Sequence, residues 1–162
     1  MKIELYHASK YGNGARVAEE FRRLMVAKGN EVNIHHVKEV SPKDLAMADL
    51  YVFGSPTHFG KAIGSAVRFV KKLDLPSGTK YAVFATFSAA RPNKKTGKMQ
   101  TEEELDHWRR TIPMLDEQLK AKGMNKVAEM RVFVQPENLK GPLEEGWQER
   151  VETFVAQILT PS

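Results

Sequence analysis

Strand-like and helix-like hydrophobic patterns alternate five times along the chain, and nothing else in the sequence limits the fold as strongly. Lys2–Ala8, Glu31–Val37, Asp49–Ser55, Lys80–Phe87 and Val127–Val134 read as strands. Each leads into helical character: Ala15–Lys28, a short piece from Ser41 to Ala48, then Ala62–Leu73, Thr101–Lys122 and Pro142–Leu159. Successive strands separated by helices pair in parallel, because the chain must cross back over the sheet each time. The pattern predicts an α/β protein: a doubly wound, five-stranded parallel sheet in three α/β/α layers. At 162 residues it is one domain, 1–162. No internal repeat, low-complexity tract or linker interrupts it.

The strands differ in kind. Leu50-Tyr51-Val52-Phe53 is apolar without alternation, which marks a central strand covered on both faces. In Glu31–Val37, Val32 and Ile34 alternate with Asn33 and His35, the pattern of a half-exposed edge. The first helix carries Val17, Ala18, Phe21, Leu24 and Met25 on one stripe, and Lys28-Gly29-Asn30 supplies a left-handed cap. Ser41-Pro42-Lys43-Asp44 has the chemistry of a helix start. Thr101 and Glu104 form a capping-box pair, and Pro113 predicts a kink or break in the helix that follows. Pro136 ends the fifth strand. Trp108 and Trp147 fall on helix stripes, so both are expected in the core, Trp108 having a bound ligand's face as its alternative.

Composition narrows the chemistry. Cysteine is absent, which removes disulfides, thiolate metal ligands and a cysteine nucleophile, so redox work would need a bound cofactor. There is no apolar run near the roughly 20 residues of a membrane span, and the charged start Met1-Lys2-Ile3-Glu4 reads as a strand; a cytoplasmic protein without membrane insertion is expected. The net charge of +5 suits an anionic ligand or an acidic partner, and no nucleic-acid-binding motif accompanies it.

Ser9-Lys10-Tyr11-Gly12-Asn13-Gly14 joins the first strand to the first helix. A small-residue turn there gathers backbone N–H groups that have no partner in the helix, a ready site for a phosphate. Ser9, Tyr11 and Asn13 add side-chain donors and Lys10 adds charge. Gly and Asn are also ordinary turn residues, so this stretch alone does not separate a phosphate cradle from a plain connection. In an open parallel sheet, however, ligands bind beyond the carboxyl ends of the strands. Ser55–Gly60 after the third strand and the stretch from Phe87 after the fourth leave the same edge.

These stretches resemble the flavodoxin family. Its first loop has the approximate form Ser/Thr-x-Thr/Tyr-Gly-Asn-Thr, matched here by Ser9–Gly14, with Val17, Ala18 and Phe21 at corresponding helical positions. Gly54-Ser55-Pro56-Thr57 and Phe59-Gly60 are similar to the family's second, flavin-contacting loop. The resemblance covers essentially the whole chain. It implies strand order 2-1-3-4-5, and FMN bound between the first and third strands. On that reading Ser9, Lys10, Tyr11, Gly12, Asn13 and Gly14 hold the phosphate. Pro56, Thr57, His58, Phe59 and Gly60 meet the isoalloxazine, and Phe87, Ser88, Ala89 and Ala90 meet its edge, largely through backbone. Phe59 offers a stacking face, with a core position as its alternative; His58 either tunes the flavin or is an exposed loop histidine. Gly60 gives freedom to a peptide that reorients on reduction. Gly14 departs from the family's Thr and removes one hydroxyl, so Gly14→Thr is expected to tighten binding.

The resemblance implies an electron carrier serving a reductase or a ferredoxin-type partner, with binding residues and no catalytic set. The alternative is an FMN-dependent NAD(P)H:quinone oxidoreductase: Ser55–Gly60 is similar to the Ser/Thr-Pro-Thr-Arg-Phe-Gly loop of that group, with His58 in place of Arg. The basic charge also departs from the acidic carriers. That group implies a homo-oligomer in which a second subunit covers the flavin. A third reading is a flavin-free binding module. No metal site is expected, since His35 and His36 are neighbours on a strand and point opposite ways. His7 is expected to pack or hydrogen-bond near the site. Arg91, Lys94, Lys95 and Lys98 read as a solvated loop, or as a dock for an acidic partner or the phosphate of NADPH.

Overall fold

The computed structural model describes residues 1–135 and 140–160; the proposed strand end at Pro136 lies outside them. The elements are β1 (Lys2–His7), α1 (Asn13–Ala27), β2 (Glu31–His36), β3 (Leu50–His58), β4 (Lys61–Ala62), α2 (Gly64–Lys71), β5 (Lys80–Ser88), α3 (Glu102–Trp108), α4 (Thr111–Ala121), β6 (Asn125–Val134) and α5 (Trp147–Leu159). The long strands pair in parallel in the order β2-β1-β3-β5-β6. That is the expected 2-1-3-4-5, with β5 and β6 as the fourth and fifth long strands. Among the described residues no helix is long and apolar enough to cross a membrane.

The sheet divides two apolar cores. On one face α1 and α5 pack over Ile3, Leu5, Val52 and Phe84; on the other α2 and α4 pack over Tyr6, Phe53, Tyr81 and Val83. The helical stripe read from the sequence explains α1: Val17, Ala18, Phe21 and Met25 are fully buried. Burying a side chain the size of Phe or Met contributes roughly 1.5–3 kcal/mol. The left-handed Gly29 closes α1, its N–H donating to the Val26 carbonyl and that of Asn30 to Met25, both at 3.0 Å. β2 lies at the edge, as its alternation predicts.

Four expectations change. No helix forms between Ser41 and Ala48: the segment makes one turn, and Tyr51 Oη holds its backbone, donating to Ala46 O and accepting from Ala48 N–H. So short a piece gains too few helical bonds to offset nucleation. β3 runs on to His58 and folds back as β4, so the second loop is a tight hairpin. The long helix breaks at Arg109-Arg110, ahead of Pro113, which sits in the first turn of α4, where a missing N–H costs no helical bond. α5 starts at Trp147; Pro142-Leu143-Glu144 runs extended against the end of β6, with Gln135 N–H donating to Pro142 O and Glu144 N–H to Phe133 O.

Candidate functional site

The loop after β1 turns on Gly12, whose φ of 96° is left-handed; a Cβ there would meet nothing within 4 Å, so the glycine serves the backbone alone. Ser9 Oγ accepts from Gly12 N–H at 3.0 Å, which leaves the Ser9 hydroxyl proton free to donate. No side chain caps α1 and its first turn holds no acid. The N–H groups of Gly14 and Ala15 therefore open the helix without a side-chain capping acceptor among the described residues, beside Lys10. This donor set fits a phosphate. Gly14 is where α1 closes on the loop: a Cβ there would stand 3.2 Å from Ser9 Cβ. A Thr hydroxyl at that position thus comes with pressure on the residue that shapes the cradle.

Two histidines clamp the loop from behind. Ser9 N–H donates to His7 Nδ1 at 3.1 Å, and His36 Nε2 donates to Ser9 O at 2.9 Å. The two rings meet edge to face at 5.1 Å. Burial, then the neighbouring His36, pushes His7 down to about 4, against a smaller opposing pull from Glu39. His7 is therefore neutral at ordinary pH, the state its acceptor role requires.

Opposite lies the β3–β4 hairpin. Its two turn residues, Phe59 and Gly60, both have positive φ, 52° and 75°. Such a turn suits two twisted strands, but a phenylalanine in it is strained. Phe59 is 92% exposed, which excludes the core alternative. Gly60 is enclosed: a Cβ would lie 2.5 Å from Trp108 O, and Gly60 O accepts from Arg110 N–H. Trp108 is thereby held at the surface, 65% exposed, contrary to the core position read from its helical spacing. Thr57 and Thr111 share a hydroxyl hydrogen bond of 2.6 Å that ties the hairpin to α4. His58 stacks on Tyr11 across the crevice, ring centres 6.3 Å apart, and burial followed by the charge of Lys10 lowers its pKa. Lys10 and Lys140 lie over the Tyr11 ring at 5.6 and 5.9 Å.

The third stretch is the end of β5. Phe87 is buried in the core, while Ser88, Ala89 and Ala90 are half-buried. Ala89 N–H is taken by Val134 O, and Ser88 O accepts from Arg109, whose guanidinium spans Phe87 and Phe133 at 4.9 and 5.1 Å.

A crevice of about 20 Å³ joins the three stretches, lined by Ser9, Lys10, Tyr11, Asn13 and Gly14, by Pro56, Thr57 and His58, and by Phe87 and Ser88. It shares Thr57, His58 and Ser88 with a cleft of about 370 Å³ that adds Phe59, Gly60 and Ala89. Gly12 and Ala90 line neither. The crevice holds about one water at this width, and the stacked rings of Tyr11 and His58 both line it. Thr86, Leu105 and Arg109 line these spaces without having been singled out as site residues from the sequence, and nothing local marks Arg109; Trp108 lines the larger of the two, in keeping with its ligand-face alternative.

The model of a family described as "Flavodoxin domain" matches residues 5–134, most of the chain. A search of curated proteins returns no match. Among solved structures, rubredoxin oxygen:oxidoreductase from Desulfovibrio gigas aligns over 97% of this chain and 35% of its own, at 17% identity and a TM-score of 0.68. The chain thus spans about a third of that protein. Oxidised flavodoxin 1 from Bacillus cereus aligns over 98% of this chain and 97% of its own, at 19% identity and TM-score 0.70. Flavodoxin 2 from the same organism aligns over the same shares at 20% and 0.71. The chain belongs to the flavodoxin family.

Proposed function

We propose that this member of the flavodoxin family binds FMN and carries electrons between redox partners. Bound FMN supplies the redox chemistry. The N–H groups of Gly14 and Ala15 and the Ser9 hydroxyl hold its phosphate, and Lys10 balances the charge. His7 and His36 keep the Ser9 peptide in place. Thr57 and His58 line the flavin's path, Phe59 stacks on the ring, and Ser88 and Ala89 meet its edge. The Tyr11–His58 stack parts to admit the ligand. The observation that carries this reading is the start of α1: uncapped, free of acid, and facing two further loops at the carboxyl edge of the sheet. Titrating the protein with FMN tests it. The expected result is a yellow 1:1 complex with quenched flavin fluorescence; a protein that stays colourless in excess FMN would point to a flavin-free binding module.

A second reading is favoured by the cleft of about 370 Å³ beside the exposed rings of Phe59 and Trp108, which leaves room for a planar second substrate or a covering subunit. This is the FMN-dependent NAD(P)H:quinone oxidoreductase. Steady-state NADPH oxidation with a quinone decides: sustained turnover supports the enzyme, whereas negligible turnover with ready reduction by a reductase or ferredoxin-type protein supports the carrier.

A further inference from the structure

A larger concavity adjoins the 370 Å³ cleft at His58, Phe59 and Trp108. Its volume is about 1390 Å³, and its walls come from the end of β1, the turn after β2, β4, the start of α2 and the α3–α4 junction. Lys10, Lys38, Lys61, Arg68 and Arg110 all line it, and no aspartate or glutamate does. Outside the cleft, Arg22, Arg23, Lys126 and Arg131 are ion-paired. None of the five in the cleft has a carboxylate partner among the described residues. Five like charges facing one space raise its potential, and concave low-dielectric walls concentrate it.

The shape of the cleft adds to its charge. Gly64 opens α2, and a Cβ there would come within 2.9 Å of Arg68 Nη1, so the glycine lets the guanidinium lie over the helix start. The N–H groups of Gly64 and Ser65 and a fork-shaped guanidinium then share one corner, a combination that matches phosphate oxygens. At the rim stand Phe59 and Trp108, two exposed aromatic faces suited to a planar ring.

We propose that this cleft, which adjoins the Ser9–Gly14 cradle at Ser9 and Lys10, is a second anion site that takes an oligophosphate of the nucleotide class. Its phosphates meet Arg68, Lys61 and Arg110, and its ring meets Trp108. The inference rests on the cleft itself, and holds whether or not the first loop takes FMN.

The test uses the full chain with FMN present in excess, so that the first loop is saturated. Calorimetric titration with inorganic pyrophosphate and with ATP is expected to show one saturable site for each, ATP tighter through its base, and no release of FMN. Arg68→Gln and Arg110→Gln are each expected to weaken both probes about tenfold or more. FMN affinity stays unchanged in both variants, which also reports that they are folded. The triple variant Lys94→Gln, Lys95→Gln, Lys98→Gln, on the other basic loop, leaves the binding as it was. Absence of saturable binding at millimolar probe overturns the proposal. So does binding insensitive to both arginine variants, binding that displaces FMN, or tighter binding of polyglutamate than of pyrophosphate. If FMN itself fails to bind, the cofactor reading falls separately, and the same titration still decides the cleft.

Discussion

The two loops that face each other across the crevice are built in opposite ways. Ser9–Gly14 turns on a glycine with open space around it and is held from the buried side, both polar groups of the Ser9 peptide engaged by histidines. The hairpin turns on a strained Phe59 and on a Gly60 pressed against Trp108, and it presents its aromatic outward. On the proposed function, one loop fixes a group in place and the other leaves a face open to what approaches, a division that suits a carrier, whose anchor must not move while the exchanging edge stays accessible.

Substitutions can break this contrast. Gly60→Ala adds a methyl where Trp108 O stands 2.5 Å away and forces a left-handed residue. The cost should be about 3 kcal/mol in chemical denaturation. Gly12→Ala meets nothing within 4 Å and should cost only about 1 kcal/mol, the backbone contribution alone. Equal costs would mean that the Trp108 contact does not hold the hairpin.

Acid should release the anchoring loop. His7 has its proton affinity lowered on folding, from 6.5 to about 4. Between those values the unfolded chain holds the extra proton, so the His7 contribution is complete above 6.5 and is lost as pH falls toward 4. The loss amounts to up to about 3 kcal/mol. Denaturation midpoints measured from pH 7 to pH 4 should fall less steeply in His7→Gln. Ser9→Ala removes the acceptor for Gly12 N–H and a donor to the ligand, and should weaken FMN about tenfold or more by fluorescence titration. The smallest effect is expected of Phe59→Gly: relief of the positive φ should raise stability by about 0.5 kcal/mol while flavin binding weakens.

The parts of the fold legible in the sequence are those set by local periodicity. The stripe of α1, the continuous apolar run of β3 and the alternation of β2 all appear in the structure with the predicted layers and strand order. Residues 41–48 misled because a good cap was followed by too little helix, and Tyr51, distant from the cap, supplied the competing hydrogen bonds. Trp108 misled because its helix ends at it, so that one more turn of stripe never forms. The proposed phosphate loop was legible as a candidate because its donors lie within seven consecutive residues, Ser9 to Ala15. The two histidines behind it were not, since His7 and His36 meet only through the pairing of β1 with β2. Arg109 and the cations of the large cleft converge from several elements and leave no pattern in any one of them.

The central claim is that the start of α1 is a phosphate cradle. FMN and riboflavin share the flavin ring and ribityl chain and differ by the phosphate, so their affinities for the same protein isolate that cradle. The account predicts that FMN binds about a hundredfold or more tightly than riboflavin, the worth of several charge-assisted hydrogen bonds. Equal affinities, or failure to bind either, would contradict it.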